Sequence, residues 1–163
     1  MILESILTYH LIVGAILHGP PLQLRENIVV NNNEYRCLLR NVWWESASES
    51  FIGKLWVAKT TLNRVRSIKF PNSICKTVYQ RKQFSWTHTV KNQVVIPKTD
   101  LEKKVFAEIE LASFISIWLD RFNFDFTSNS KYYHTLQAKP IWRHSMYKTS
   151  KIGNHQFYKD SND

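Results

Sequence analysis

Asn41-Val42-Trp43-Trp44-Glu45-Ser46-Ala47-Ser48-Glu49 runs two tryptophans into a carboxylate and sets a second carboxylate four positions on. Upstream, Leu38 and Val42 stand at helical spacing with Glu45, beside Cys37, Leu39 and Trp43, so the stretch reads as the end of a helix over 34–45. Ser46-x-x-Glu49 then has the form of a capping box, in which the serine oxygen accepts a backbone N–H and the glutamate reaches back. A second helix is expected to begin there. A carboxylate at a helix C-terminus faces the negative end of the macrodipole, and flanking tryptophans can strip water from it. Both effects hold a proton on the group, as a general acid requires, and Glu45 is the candidate for that role. The alternative is a solvent-exposed helix end, which the dipole itself disfavours. Glu49 has two readings, a cap for the next helix or a supporting carboxylate.

Working downstream, Phe51, Ile52, Leu55, Ala58, Leu62 and Val65 line one face of a helix running to about Ser67, with Lys54, Lys59, Thr61 and Arg64 on the other face. Phe70-Pro71-Asn72 breaks it, and Ile74, Cys75, Val78 and Tyr79 give a short third helix. Gln83-Phe84-Ser85-Trp86-Thr87 alternates in the manner of a strand, with Gln93-Val94-Val95-Ile96 as its partner in a small β-hairpin. Thr99-x-x-Glu102 is another capping box, opening the longest helix, on which Leu101, Val105, Ile109, Ala112, Ile115 and Leu119 share a face. An irregular loop follows over 121–130. The pattern is α+β, mainly helical, with a minor β element.

Upstream, Met1 to Leu17 is apolar but interrupted by Glu4 and His10, and it ends at His18-Gly19-Pro20-Pro21. It lacks the basic front of a signal peptide and falls short of the roughly 20 apolar residues of a membrane span. A packed N-terminal helix is expected, with a membrane anchor as the alternative. Residues 1–33 are accordingly read as an apolar helix and connection, and 34–163 as the main domain.

A chain of 163 residues with 44% hydrophobic residues can bury a core of its own, which excludes a disordered chain. Its net charge of +9 favours polyanionic partners. The basic residues are scattered over Lys54, Lys59, Arg64, Arg66, Lys69, Lys76, Arg81 and Lys82, which argues against a nucleic-acid arm. Cys37 and Cys75 lack CxxC spacing, and whether they form two buried thiols or a disulfide stays open. His134, His144 and His155 are too far apart for a metal-ligand pattern, and no phosphate loop or nucleophile elbow is present. No cofactor and no metal are expected.

With these pieces in place, the chain resembles the SleB-like cell-wall hydrolases, which include spore-cortex-lytic enzymes and bacteriophage lysins. The family's helix ending in an aromatic and E-A-R-G-E is similar to Trp44 followed by Glu45-Ser46-Ala47-Ser48-Glu49. Its L-N-R-V, F-P-N-T-I-C and V-V-Y-Q are matched by Leu62-Asn63-Arg64-Val65, Phe70-Pro71-Asn72-Ser73-Ile74-Cys75 and Thr77-Val78-Tyr79-Gln80. Q-F-S-W stands intact at Gln83 to Trp86, and Pro140-x-Trp142 and Ile152-Gly153-x-His155-x-Phe157-Tyr158 resemble the family's ending. The D-P-T-G-G-A-T-H-Y-H loop looks like Asp125 to His134, with Ser128 and Asn129 in place of both glycines, a change that bears on the loop's shape.

The resemblance implies a lysozyme-like fold and cleavage of the bond between N-acetylmuramic acid and N-acetylglucosamine in peptidoglycan, as a lytic transglycosylase with Glu45 as acid and base. Glu49 and Asp125 are the candidates for a second carboxylate, which a hydrolytic lysozyme would need at a separation of roughly 5 Å or 6.5–9.5 Å. Gln83, Ser85, Trp86, Thr127, Tyr133 and His134 are expected at the sugar cleft, with Tyr133 nearest the reacting centre. A monomeric, phage-encoded endolysin is expected, made in the host cytoplasm and acting on glycan strands in the periplasm or wall. Membrane contact is expected only through residues 1–17, and no nucleic-acid partner is expected. A catalytically inactive wall-binding module is the rival reading.

Overall fold

The structure, a computed structural model, describes residues 22–24 and 28–161. The expected N-terminal helix over Met1 to Leu17 lies outside the described residues. Two short antiparallel strands, β1 (Leu22–Leu24) and β2 (Ile28–Val30), lead into helix α1 (Asn32–Ser46). Asn31 caps α1, its side chain accepting from the backbone N–H groups of Asn33 and Glu34. Leu38 and Val42 are fully buried on its inner face.

The corner after α1 differs from the expected capping box. Ser46 belongs to the last turn of α1 and donates its hydroxyl back to the Val42 carbonyl at 2.7 Å. The cap of helix α2 (Phe51–Arg66) is Ser50, whose side chain accepts from Gly53 N. Glu49 therefore has no capping role. Its carboxylate is free to point elsewhere.

Helix α2 is the centre of the molecule. Every residue from Trp56 to Val65 is buried, including those expected on a polar outer face. Their charges survive because each finds a partner, as burial demands. Lys59 Nζ lies 2.6 Å from Asp120, which also receives Arg66, and Lys54 pairs with Glu108 at 3.2 Å. Helix α5 (Asp100–Arg121) supplies Glu108 and Asp120, and it opens with the capping box of Thr99 and Glu102 that its sequence predicts.

Helix α3 (Ile74–Val78) is tied to α1 by a disulfide between Cys37 and Cys75. No hairpin forms over 83–96. The alternation there reflects two buried aromatics, Phe84 and Trp86, entering a single helical turn, α4 (Trp86–Thr89), so the two-residue period came from a bend and not from a strand. The β element lies nearer the C-terminus, where β3 (Tyr132–Thr135), β4 (Met146–Ile152) and β5 (His155–Asp160) form an antiparallel sheet in the order β3-β5-β4. Register pairs Tyr133 with Phe157 and Thr135 with His155. Phe157, fully buried, seats the sheet on α2 through Trp56 at 5.0 Å between ring centroids.

Candidate active site

Glu45 stands on the last turn of α1, where the sequence pattern places it, with its side chain turned toward the sheet. The Tyr133 hydroxyl donates to Glu45 Oε2 at 3.0 Å. Burial raises the Glu45 pKa from its ordinary 4.5, while the Tyr133 hydrogen bond and the positive charge of Arg64 pull it down. The carboxyl group is thus protonated more readily than a surface glutamate, and its anion has two stabilising neighbours. That is the electrostatic setting of a group that must give up a proton and then take one back.

Tyr133 is locked in place. Its ring packs on Phe157 at 5.3 Å, edge-on to His155 at 5.2 Å, and near Phe84 at 6.5 Å. Burial and the neighbouring Glu45 push the phenol well above its usual value, so the proton stays on Tyr133. Arg64, buried on α2, lies 4.8 Å from the Phe84 ring centre and 5.7 Å from that of Tyr133. Its Nε donates to the Lys131 carbonyl, while Nη1 has no acceptor among the described residues. Arg64 is the part of this group that periodicity missed, since its place on the helix suggested a solvated face. Its position within Leu62-Asn63-Arg64-Val65 was the available signal.

Glu49 and Asp125 occupy different settings. Glu49 is buried, accepts from Asn154 N at 3.2 Å and lies 3.8 Å from His155 Nδ1. Asp125 is committed to its own loop, accepting from Thr127 N at 3.1 Å, Thr127 Oγ1 at 2.6 Å and Asn129 N at 2.5 Å. These bonds outweigh burial and hold its pKa below the ordinary value. Asp125 lines a polar hollow of about 450 Å³ with Lys59, Asn63, Arg66 and Asp120, a set that does not include Glu45. Thr127, fully buried, accepts from Asn63 Nδ2 at 2.9 Å and closes the same loop.

The remaining candidates divide by exposure. Trp86 is 4% exposed and donates from Nε1 to Asn41 Oδ1 at 3.1 Å, which makes it core. Trp44, 36% exposed, stacks on it with centroids 6.3 Å apart and offers the outer face that Trp86 cannot. Ser85 is exposed and Gln83 half-buried beside it. His134 faces Tyr158, with Nε2 2.8 Å from that hydroxyl on β5 and Nδ1 2.8 Å from the Thr135 carbonyl oxygen on its own strand, so both ring nitrogens are engaged. The structure therefore brings Tyr133 to Glu45, with Arg64 as the nearby cation, and gives Asp125, Thr127, Trp86 and His134 partners of their own.

Comparison with known proteins gives one consistent answer. A family model described as Cell Wall Hydrolase matches residues 48–158, beginning just beyond Glu45 and including Glu49. The spore cortex-lytic enzyme of Bacillus cereus is 30% identical over 132 residues, covering 79% of this chain and 45% of that protein. The chain thus spans a little under half the length of this curated relative. Among solved structures, the catalytic domain of the germination-specific lytic transglycosylase SleB from Bacillus anthracis superposes with a TM-score of 0.62 at 27% identity, over 80% of this chain and 97% of that one. The catalytic domain of the Bacillus cereus SleB protein also gives a TM-score of 0.62, at 28% identity over 83% of this chain and 98% of that one.

Proposed function

The chain belongs to the cell wall hydrolase family, and on that premise we propose that it cleaves peptidoglycan between N-acetylmuramic acid and N-acetylglucosamine as a lytic transglycosylase. The observation that carries this reading is the setting of Glu45, half-buried, raised in pKa and bonded to Tyr133, with the other two candidate carboxylates tied to backbone donors. A hydrolase of the ordinary kind needs a second carboxylate at the reacting bond. A transglycosylase does not.

The proton balance closes on one residue. Glu45 in its acid form protonates the glycosidic oxygen as the bond to muramic acid C1 breaks, and the N-acetylglucosamine end leaves as an alcohol. The carboxylate left behind, stabilised by the Tyr133 hydroxyl and the Arg64 charge, takes the proton of the muramic acid C6 hydroxyl as its oxygen attacks C1. A 1,6-anhydro ring forms, no water is consumed and Glu45 ends protonated. The outer face of Trp44 and the exposed Ser85 are suited to a sugar ring and its acetamido group.

The net charge of +9 supports action on an anionic wall, and the disulfide supports action outside a reducing cytosol. A bacteriophage-lysin role, with the chain acting as a monomer in the periplasm or wall, is part of the proposal. Mass spectrometry of fragments from digested sacculi tests the chemistry, because an anhydro product is lighter by one water than a hydrolysis product. Reducing, hydrated muramic ends alone would replace the transglycosylase by a hydrolase.

A further inference from the structure

Glu49 lies four residues beyond Glu45 on the same corner, and the space around it is shaped to admit its side chain. A Cβ on Gly153 would stand 2.0 Å from Glu49 Oε2, and a Cβ on Gly53 would stand 2.8 Å from Glu49 Cβ. One glycine comes from α2 and the other from the turn between β4 and β5. Any other residue at either place would collide with Glu49. Gly153 also has φ +54°, so glycine there serves both the tight turn and the carboxylate's approach.

The carboxylate reaches into that turn and accepts from Asn154 N, and the next residue, His155, begins β5. His155 is buried with Nδ1 3.8 Å from Glu49 Oε1, and its ring meets the Tyr133 ring edge-on. The corner carrying both glutamates is therefore fastened to the sheet at two points. Glu45 meets strand β3 at Tyr133, and Glu49 meets the β4–β5 turn at Asn154.

We propose that Glu49 is a positioning residue, a bolt between the α1–α2 corner and the sheet that sets where Tyr133 and Glu45 meet, and not a second acid or base. The proposal rests on the reading of Glu45 as the general acid. Misplacing a reacting group by about an ångström is enough to cost on the order of 100-fold in rate. The chemistry would be unchanged and slower.

The test compares Glu49→Ala, Glu49→Gln and Glu45→Gln on purified sacculi, with folding checked by near-ultraviolet circular dichroism. Glu49→Ala is expected to lower kcat roughly 10- to 100-fold with KM within about twofold. Glu49→Gln, whose amide oxygen can still accept from Asn154 N, should recover kcat to within roughly tenfold of wild type. A Glu49→Gln variant as inactive as Glu45→Gln would overturn the proposal, since the charge itself would then be needed. Wild-type kcat in Glu49→Ala would overturn it equally. Should Glu49→Ala fail to fold, Gly53→Ala crowds Glu49 from a helical position that an alanine backbone suits: a fall in kcat at unchanged product mass supports the bolt, and wild-type kcat overturns it. A readout without activity separates this inference from the Glu45 reading. The Tyr133 and His155 ring proton resonances should move in a folded Glu49 or Gly53 variant, and unmoved resonances would contradict the bolt even if the wild type proved inactive on peptidoglycan.

Discussion

The Tyr133 hydroxyl and Glu45 Oε2 lie 3.0 Å apart across 88 residues of sequence, joining the second residue of strand β3 to the last turn of helix α1. The bond has a direction when Glu45 is ionised, because the buried phenol keeps its proton and a carboxylate can only accept. It therefore favours the Glu45 anion.

Removing that donor should move a pH profile in a stated direction. In the proposed mechanism the first half-reaction needs protonated Glu45, so activity should fall as pH rises through its pKa, which burial has raised. Tyr133→Phe deletes an influence that lowers this pKa, so the alkaline limb should shift to higher pH, with kcat reduced on the order of tenfold. A limb that stays put or moves to lower pH would contradict the assigned bond.

Glu45 should also cost stability at neutral pH. Its folded pKa is raised, so its contribution is fully present below the ordinary value of 4.5 and is lost as pH rises through the folded value. Glu45→Gln keeps an acceptor for Tyr133 without the charge. Thermal melts should show the variant gaining on the wild type as pH rises above the ordinary 4.5, and an advantage that shrinks as pH rises would be the wrong sign.

The Cys37–Cys75 disulfide spans 38 residues of sequence, and the chain-entropy estimate for such a loop is about 4 kcal/mol. Reduction, or replacement of both cysteines by alanine, should lower the melting temperature by roughly 10 °C for a chain of this size. A change under a few degrees would mean that the unfolded chain is already held together there.

Ser128 and Asn129 have φ of 54° and 58°, the left-handed region, in the loop where the family pattern has glycines. The loop keeps its glycine conformation without the glycines, held by the Asp125 carboxylate on Asn129 N and Thr127 N. Serine tolerates this region less well than asparagine. Ser128→Gly should therefore stabilise by about 1 kcal/mol in denaturant melts and Asn129→Gly by less. Destabilisation by Ser128→Gly would show that its side chain matters more than its backbone.

Much of this arrangement was legible from local pattern. The helix ending at Glu45 and the Thr99–Glu102 capping box depend on neighbours a few residues away, which is where sequence reasoning is strong. The errors arose where tertiary partners decide. Lys54, Lys59 and Arg64 read as a solvated face because their partners Glu108, Asp120 and the Lys131 carbonyl are more than fifty residues away in sequence. Phe84 and Trp86 read as a strand because a two-residue period also arises when a bend buries alternate aromatics. Glu49 fitted the reach-back position of a capping box opened by Ser46, but the helix begins four residues later and Ser50 is its cap. What draws Glu49 away is the turn at Gly153 and Asn154, which no local pattern could reveal.

The central claim is that Glu45 carries the acid and base chemistry, and release of soluble fragments from purified sacculi by wild type and by Glu45→Gln, at equal concentration and with equal folding, tests it most directly. The wild type should release anhydro-ended fragments, while Glu45→Gln should release none above the untreated control. Fragment release by Glu45→Gln at the wild-type rate would contradict the account.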